Sequence, residues 1–397
     1  MRISEVRVIM CSPGRNFCTV KIIADNGLYG LGDATLNGRE QAVAAYLTEH
    51  IVPLMAGRDP FDIEDTWQYL YRGAYWRRGP VTMAAISAID VALWDLKGKA
   101  LGTPVFNLLG GRTRRKLQTY GHAWGADIDE TLAAARSSVE QGYRAVRVQF
   151  AVPGLPDAYR PLESIDDSSR PPEETWSTQE YLAYAPEVFA RVREEFGGQI
   201  ALLHDAHQRL TPAEAAWLGK RLEPYGLFWL EDPIRVELQQ SFRLIRQQTA
   251  TPLAVGETFN SVFDCTDLIR EQLIDFVRMS TAHAGGLSHL VKVAAFADIH
   301  NIRMACHSPS DVSPVSVAAA VHLGTAIPNF GIQEHVAYPD RVAEVFRHSY
   351  RFSGGWLTIG DDPGLGVDID EEAAARHPYE RAYLPVNRKT DGSVFDW

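Results

Sequence analysis

Ile200-Ala-Leu-Leu-His-Asp205, Leu227-Phe-Trp-Leu-Glu231 and Leu253-Ala-Val-Gly-Glu257 are three short apolar runs, each closed by an acid, and the acids stand 26 residues apart. That interval accommodates one strand, one crossover helix and two loops. The runs therefore read as successive parallel strands of a barrel, each delivering a carboxylate at its C-terminal end. Three carboxylates brought to one mouth cannot all stay ionised without a cation. Oxygen-only ligation favours a hard ion, and Mg²⁺ is the expected one because it shares its coordination shell with substrate and water. Downstream, Arg278, His307 and Glu334 end the next runs at intervals of 21, 29 and 27 residues, which carries the (β/α) repeat to at least a seventh strand.

Upstream of these runs the text differs. Ile3 to Met10 and Phe17 to Ala24 are strand-like, joined by Ser12-Pro13-Gly14 and followed by the turn Asp25-Asn26-Gly27, which predicts antiparallel β-structure. Helical stretches follow. The clearest is Ala84 to Leu101, with Ile86, Ile89, Leu93 and Leu96 on one face, Gly102 as its stop and Pro104 beyond. Residues 1–115 thus read as an α+β domain. After Gly110-Gly111-Arg112 the pattern changes to alternating helix and buried strand: Asp129 to Gln141 is helical, Gly142 stops it, and Ala145 to Phe150 is a strand. The barrel domain is expected over 116–349. Ser177 to Glu180 and Thr211 to Glu214 are capping boxes that start two of its helices. Between Phe150 and Ser177 the rhythm breaks in a Pro-, Asp- and Ser-rich stretch containing Arg170-Pro-Pro-Glu-Glu174. It has no periodicity and leaves the C-terminal end of a barrel strand, where a lid would sit. The tail, 350–397, carries the turns Gly354-Gly355 and Asp362-Pro-Gly364 and is expected to pack back on the first domain.

A net charge of −11 and a pI near 5.6, without a long basic run, argue against nucleic acid and anionic membrane as partners. An anionic substrate would need a local cation. No apolar stretch is long enough to span a bilayer. Cys11, Cys18, Cys265 and Cys306 form no CxxC pair, and reduced cytoplasm is the expected compartment. No Walker or dinucleotide string is present.

Strand parity adds residues to the site. If Asp205 points at the cation, so does His207, a candidate acid or base, whereas His204 points away; this splits the two histidines and disfavours zinc. Arg147 and Gln149 share a face of the second barrel strand, just before the stretch that carries Tyr159. A tyrosine needs such a cation beside it to act as a base near neutrality. By default Tyr159 is a packing residue, Asn37 a turn residue, His122 a loop histidine and Asp311 the cap of a helix beginning near Pro314.

The three acids, with Trp229-Leu-Glu-Asp-Pro233 and Val255-Gly-Glu257, look like the metal triad of the enolase superfamily. Pro13-Gly-Arg-Asn16, Gly30 to Arg39, Ala74-Tyr-Trp-Arg-Arg-Gly-Pro80, His283-Ala-Gly-Gly286 and Tyr383-Leu-Pro-Val386 extend the likeness, so that nearly the whole chain resembles the mannonate dehydratase family. The resemblance implies a (β/α)7β modified TIM barrel with an α+β N-terminal capping domain completed by the C-terminal tail, usually in a homo-oligomer, with one Mg²⁺ per subunit. Residue by residue it implies a metal site of Asp205, Glu231 and Glu257, a base at Tyr159 with Arg147 beside it, and an acid at His207. It further implies substrate contacts at Asn37, His122, Arg278, His307, Asp311 and Glu334, with Trp397 as the family's terminal tryptophan. Mannonate would lose its C2 proton to Tyr159, the metal would stabilise the enediolate, and His207 would protonate the departing 3-hydroxyl, giving 2-keto-3-deoxygluconate. The lysine bases of other superfamily branches are absent: Arg147-Val-Gln149 and Arg278-Met-Ser280 stand there. Racemase and cycloisomerase chemistry lose support accordingly. Ile234 to Leu238, Trp124 and the text around Tyr159 depart from the family pattern, which bears on substrate choice. D-Gluconate dehydration, epimerisation and a non-catalytic, metabolite-binding role are the alternatives.

Overall fold

The first domain is built on a strand that has almost no side chains on one face. In the computed structural model, which describes residues 1–155 and 171–396, β1 (Ile3–Cys11), β2 (Phe17–Ala24) and β3 (Tyr29–Asp33) form an antiparallel sheet in that order. Its third strand is not evident in the sequence, because Gly30 and Gly32 dilute the apolar pattern. The glycines have a packing reason: a Cβ on Gly32 would lie 1.8 Å from the carbonyl oxygen of Ala88, and one on Gly30 1.9 Å from that of Ala92. The sheet thus rests directly on the backbone of the helix Pro80–Ala100, which starts four residues earlier than the periodicity suggests, with proline in its first turn.

Two carboxylates of this domain dock it on the second one. Asp33 Oδ2 accepts from the Ser313 N–H at 2.7 Å, at the start of the helix Pro314–Ala326. Asp90 Oδ2 accepts from the Ser288 N–H at 3.0 Å, in the first turn of the helix Gly286–Asp298. Both sit where a helix dipole favours negative charge. Burial nevertheless pushes the Asp90 carboxyl up to about 7, since only its hydrogen bonds to the helix oppose the loss of water. A carboxyl whose folded pKa is raised contributes stability that is full below its ordinary pKa and is lost as pH rises through about 7. Asp90→Asn should therefore flatten the stability profile between pH 5 and 8 by on the order of 2–3 kcal/mol. Urea melts of both proteins at the two pH values check this, and parallel profiles would exclude it.

In the second domain β4 (Leu117–Gly125) and β5 (Ala145–Phe150) are followed by β6 (Glu173–Trp176), β7 (Ala201–Asp205), β8 (Trp229–Glu231), β9 (Leu253–Val255), β10 (Phe276–Val277), β11 (Arg303–Met304) and β12 (Gln333–Glu334). Apart from β6 these pair in parallel in the order β4, β5, β7, β8, β9, β10, β11. β12 pairs in parallel with β4, and Met304 bridges to Phe330, just ahead of β12. One residue in or directly next to each of these eight strands packs into a single buried cluster: Tyr120, Ala145, Leu203, Trp229, Ala254, Phe276, Ala305 and Ile332. This layer is the apolar floor beneath the three acids.

The expected helix starts hold: Ser177 accepts from the Glu180 N–H, and Thr211 with Glu214 makes both bonds of a capping box. The stretch read as an unstructured loop, in contrast, ends in β6, which pairs in parallel with Val386–Lys389 of the tail. Four residues whose register is set by a partner some 200 positions away leave no local signal. The tail touches both domains. Trp356–Thr358 adds antiparallel to β4, while Glu371 accepts from Lys21 and Arg7, and the Ser12 N–H donates to the His377 carbonyl. All four cysteines are free and buried. No helix among the described residues is long and apolar enough to cross a membrane.

Candidate active site

The acids gather above that floor by two different backbone routes. Asp205 and Glu231 are the last residues of β7 and β8 and are fully buried. Glu257 lies two residues past β9, because Gly256 leaves the ladder with φ +134°, a conformation open to glycine, and a Cβ there would meet the Phe259 ring at 2.9 Å. Ligand atoms of Asp205, His207 and Glu257 lie within 4.8 Å of one another, as do those of Glu231, Asp232 and Glu257.

His207 reaches Asp205, though by a turn and not by strand parity. It stands beyond the end of β7 with φ +46°, its N–H donating to Asp205 Oδ1 at 2.8 Å, and this turn returns Nε2 to 2.8 Å from Asp205 Oδ2. His204 faces outward, its Nδ1 donating to the Val148 carbonyl and its Nε2 meeting the Tyr181 hydroxyl at 2.6 Å. Gln149 holds the Asp205 backbone, donating to its carbonyl at 3.1 Å. Arg147 lies on the same face, with Nη1 3.3 Å from Asp205 Oδ2 and 3.8 Å from Glu334 Oε1.

Arg147 Nη2 also lies 2.9 Å from His122 Nδ1. A guanidinium only donates, so Nδ1 accepts, and the imidazole proton sits on Nε2, 3.1 Å from Glu334 Oε1. Glu334 Oε2 accepts from Arg278 Nη2 at 3.1 Å and from the Ser308 N–H at 2.9 Å. Arg278 is itself fully buried, and its Nε donates to Glu231 Oε1 at 2.6 Å. Asn37, four residues beyond β3, donates to Asp311 Oδ2 at 2.9 Å. Asp311 is thus not the helix cap; Ser313 takes that place, accepting from the Val315 N–H. His307 Nε2 lies 3.3 Å from Glu257 Oε2. Tyr159 and Trp397 lie outside the described residues.

The electrostatics call for added positive charge. Burial drives Glu231 up to about 7 against the pull of Arg278, with Asp205 adding to the rise, and burial with Asp205 and Asp232 drives Glu257 well above the carboxylate range. Burial works the same way on Asp205, but the charge and hydrogen bond of His207, with Arg147, hold it below that range. Burial lowers the His207 imidazole, opposed by Asp205. It also lowers His122 and His307 to about 4, with Arg147 adding to the effect on His122. Glu334 stays low despite burial because Arg278 and His122 face it. A dication among Asp205, Glu231 and Glu257 would relieve the raised acids, and an all-carboxylate donor set fits a hard ion. Asp232 was missed by the sequence reading. Parity puts neighbours of a strand acid on the opposite face, but Asp232 has already left the strand, with φ +35°.

Residues 130–373 match the family model described as enolase C-terminal domain-like, and residues 9–110 the mandelate racemase / muconate lactonizing enzyme N-terminal domain. The chain is 55% identical over 403 residues to the D-galactonate dehydratase family member ManD of Chromohalobacter salexigens and 53% identical over 401 residues to a D-mannonate dehydratase of a Sphingomonas species, each pair covered in full. The chain belongs to this dehydratase family of the enolase superfamily. An enolase from Pantoea ananatis, solved with bound D-gluconate and Mg, superposes with a TM-score of 0.93 at 38% identity, with both chains fully covered. The two matched models correspond to a capping domain and a barrel, and the family members named here are hydro-lyases. The acids at the ends of β7 and β8 and beyond β9 all fall within the barrel match.

Proposed function

We propose that the enzyme dehydrates D-mannonate to 2-keto-3-deoxy-D-gluconate, with D-gluconate as the nearest alternative substrate. The observation that carries this is His207 lodged 2.8 Å from Asp205, at the same mouth as Glu231 and Glu257, in a chain 53% identical along its length to a D-mannonate dehydratase. Asp205, Glu231 and Glu257 would hold one Mg²⁺ per subunit. The bound ion would neutralise the substrate carboxylate and the charge that develops on it when C2 loses its proton.

The remaining work falls to side chains. Tyr159 takes the C2 proton. His207 gives a proton to the 3-hydroxyl as the C3–O bond breaks, so that water leaves and the enol becomes the 2-keto product. Asn37, His122, His307, Asp311, Glu334 and Trp397 orient the hydroxyls of the substrate. Arg278 acts from beneath, through Glu231 and Glu334. In this reading the eight strands close as a (β/α)7β barrel spanning 116–349, capped by 1–115 with 350–397, in a cytoplasmic homo-oligomer.

A panel of C6 acid sugars incubated with Mg²⁺ tests the assignment. A keto-deoxy product should form fastest from D-mannonate; binding of a hexonate without product would favour a non-catalytic role. Tyr159→Phe should abolish C2 proton exchange in D₂O while leaving Mg²⁺ affinity unchanged.

A further inference from the structure

The loops that follow β7, β8 and β9 converge on one residue that neither the sequence nor the family's metal triad assigns. Asp232 accepts at its carbonyl from the Gln208 N–H at 2.6 Å, next to His207. Its own N–H donates to the Ala254 carbonyl at 2.9 Å, on β9. Its Oδ1 accepts from the Gly256 N–H at 3.3 Å, next to Glu257. One side chain and its peptide group therefore tie together the segments that carry His207, Glu231 and Glu257.

The other carboxylate oxygen carries the argument further. Oδ2 is buried and has no hydrogen-bond partner among the described residues, although the carboxylate lies within 4.8 Å of ligand atoms of Glu231 and Glu257. Leaving a buried carboxylate oxygen unmatched is costly, so a cation is its natural complement. Around it stand the acids Asp205, Glu231 and Glu257, faced by the guanidinium group of Arg278. With Asp232 counted, four carboxylates and one guanidinium would stay anionic after a dication binds, which raises their hold on the ion.

We propose that Asp232 is a positioning residue of the cation cradle: it fixes the approach of Glu231 to Glu257 and adds a further negative charge around the ion bound by the triad. The inference rests on the cation site proposed above. Asparagine tolerates the φ of +35° and can still accept from Gly256, so Asp232→Asn removes the charge and keeps the geometry. The experiment is Mg²⁺ titration by calorimetry on full-length wild type, Asp232→Asn and Asp232→Ala, alongside melts in EDTA.

Asp232→Asn should bind Mg²⁺ about 10-fold more weakly, with a melting temperature in EDTA no lower than wild type, because the amide keeps the bond from Gly256 and fills the same buried space. Asp232→Ala, which also loses the Gly256 bond, should bind still more weakly. Wild-type Mg²⁺ affinity in Asp232→Asn would overturn the inference and leave the proposed function standing. So would weaker binding accompanied by a lower melting temperature in EDTA, the mark of a merely structural role. Failure of the wild-type protein to bind Mg²⁺ would overturn both readings.

Discussion

Asparagine in place of His207 is expected to slow dehydration by about 10²–10⁴-fold, the usual worth of a positioned general acid, while C2 proton exchange with solvent continues. The substitution separates the two steps because it disturbs little else. The His207 N–H bond to Asp205 Oδ1 comes from the backbone and survives any side chain, and asparagine is at home at φ +46°. Asp205 would keep both that backbone bond and the contact with Arg147, so the cation cradle should persist and Mg²⁺ affinity should change little. What disappears is the proton for the leaving hydroxyl. Proton NMR in D₂O reads exchange, and a keto-deoxy acid assay reads elimination, on the same samples. Full dehydration by the variant would move the acid role elsewhere. Loss of exchange together with elimination would mean that His207 also serves the first step.

The three acids were legible because their chemistry is tied to strand ends, and strand ends recur at a spacing that the sequence displays. Their surroundings were less so. Parity gave His207 the right address for the wrong reason: the residue lies past the ladder, and an Asp205-centred turn brings it back. The same departure hid Asp232, which by alternation should have faced away. Glu257 closes no strand at all; Gly256 re-aims it. In the first domain the alternating apolar signal vanished at β3 because the helix Pro80–Ala100 comes too close for any side chain on Gly30 or Gly32. Asp33 and Asp90, which seat that domain on two barrel helices, look in the sequence like ordinary acids, since the N–H groups they accept from lie some 200 to 280 residues downstream. Local periodicity carries strands and helices; it does not carry partners that only the fold brings together.

Arg278→Met should cost about 3–5 kcal/mol of stability in EDTA near pH 8, the scale for removing one partner from a buried ion pair. Arg278 has no exposure to solvent; Nε and Nη2 bind Glu231 and Glu334, Nη1 points at the carbonyls of Ala305 and Cys306, and the Trp229 and Tyr120 rings lie 5.3 and 5.6 Å away. Methionine fills that volume but leaves two buried carboxylates facing each other. The pH dependence distinguishes this cause from simple packing loss. In the wild type Glu334 is held well below its ordinary pKa despite its burial, chiefly by Arg278, so it contributes stability that is present above the unfolded carboxylate pKa and lost as pH falls through its folded value. The variant lacks that contribution, and burial then favours the protonated carboxyls. Its deficit should therefore be largest at pH 7–8 and shrink as the pH drops through the carboxylate range. Urea melts across pH 4.5–8 would read it, and a deficit independent of pH would refute the ion-pair account. Lysine at the same position offers one compact charge in place of a planar fork that spans both acids, so Arg278→Lys should recover only part of the loss. Mg²⁺ supplies the missing test of direction: by neutralising Glu231 it should restore more stability to Arg278→Met than it adds to the wild type, because in the variant the ion takes over a charge that the guanidinium otherwise shares.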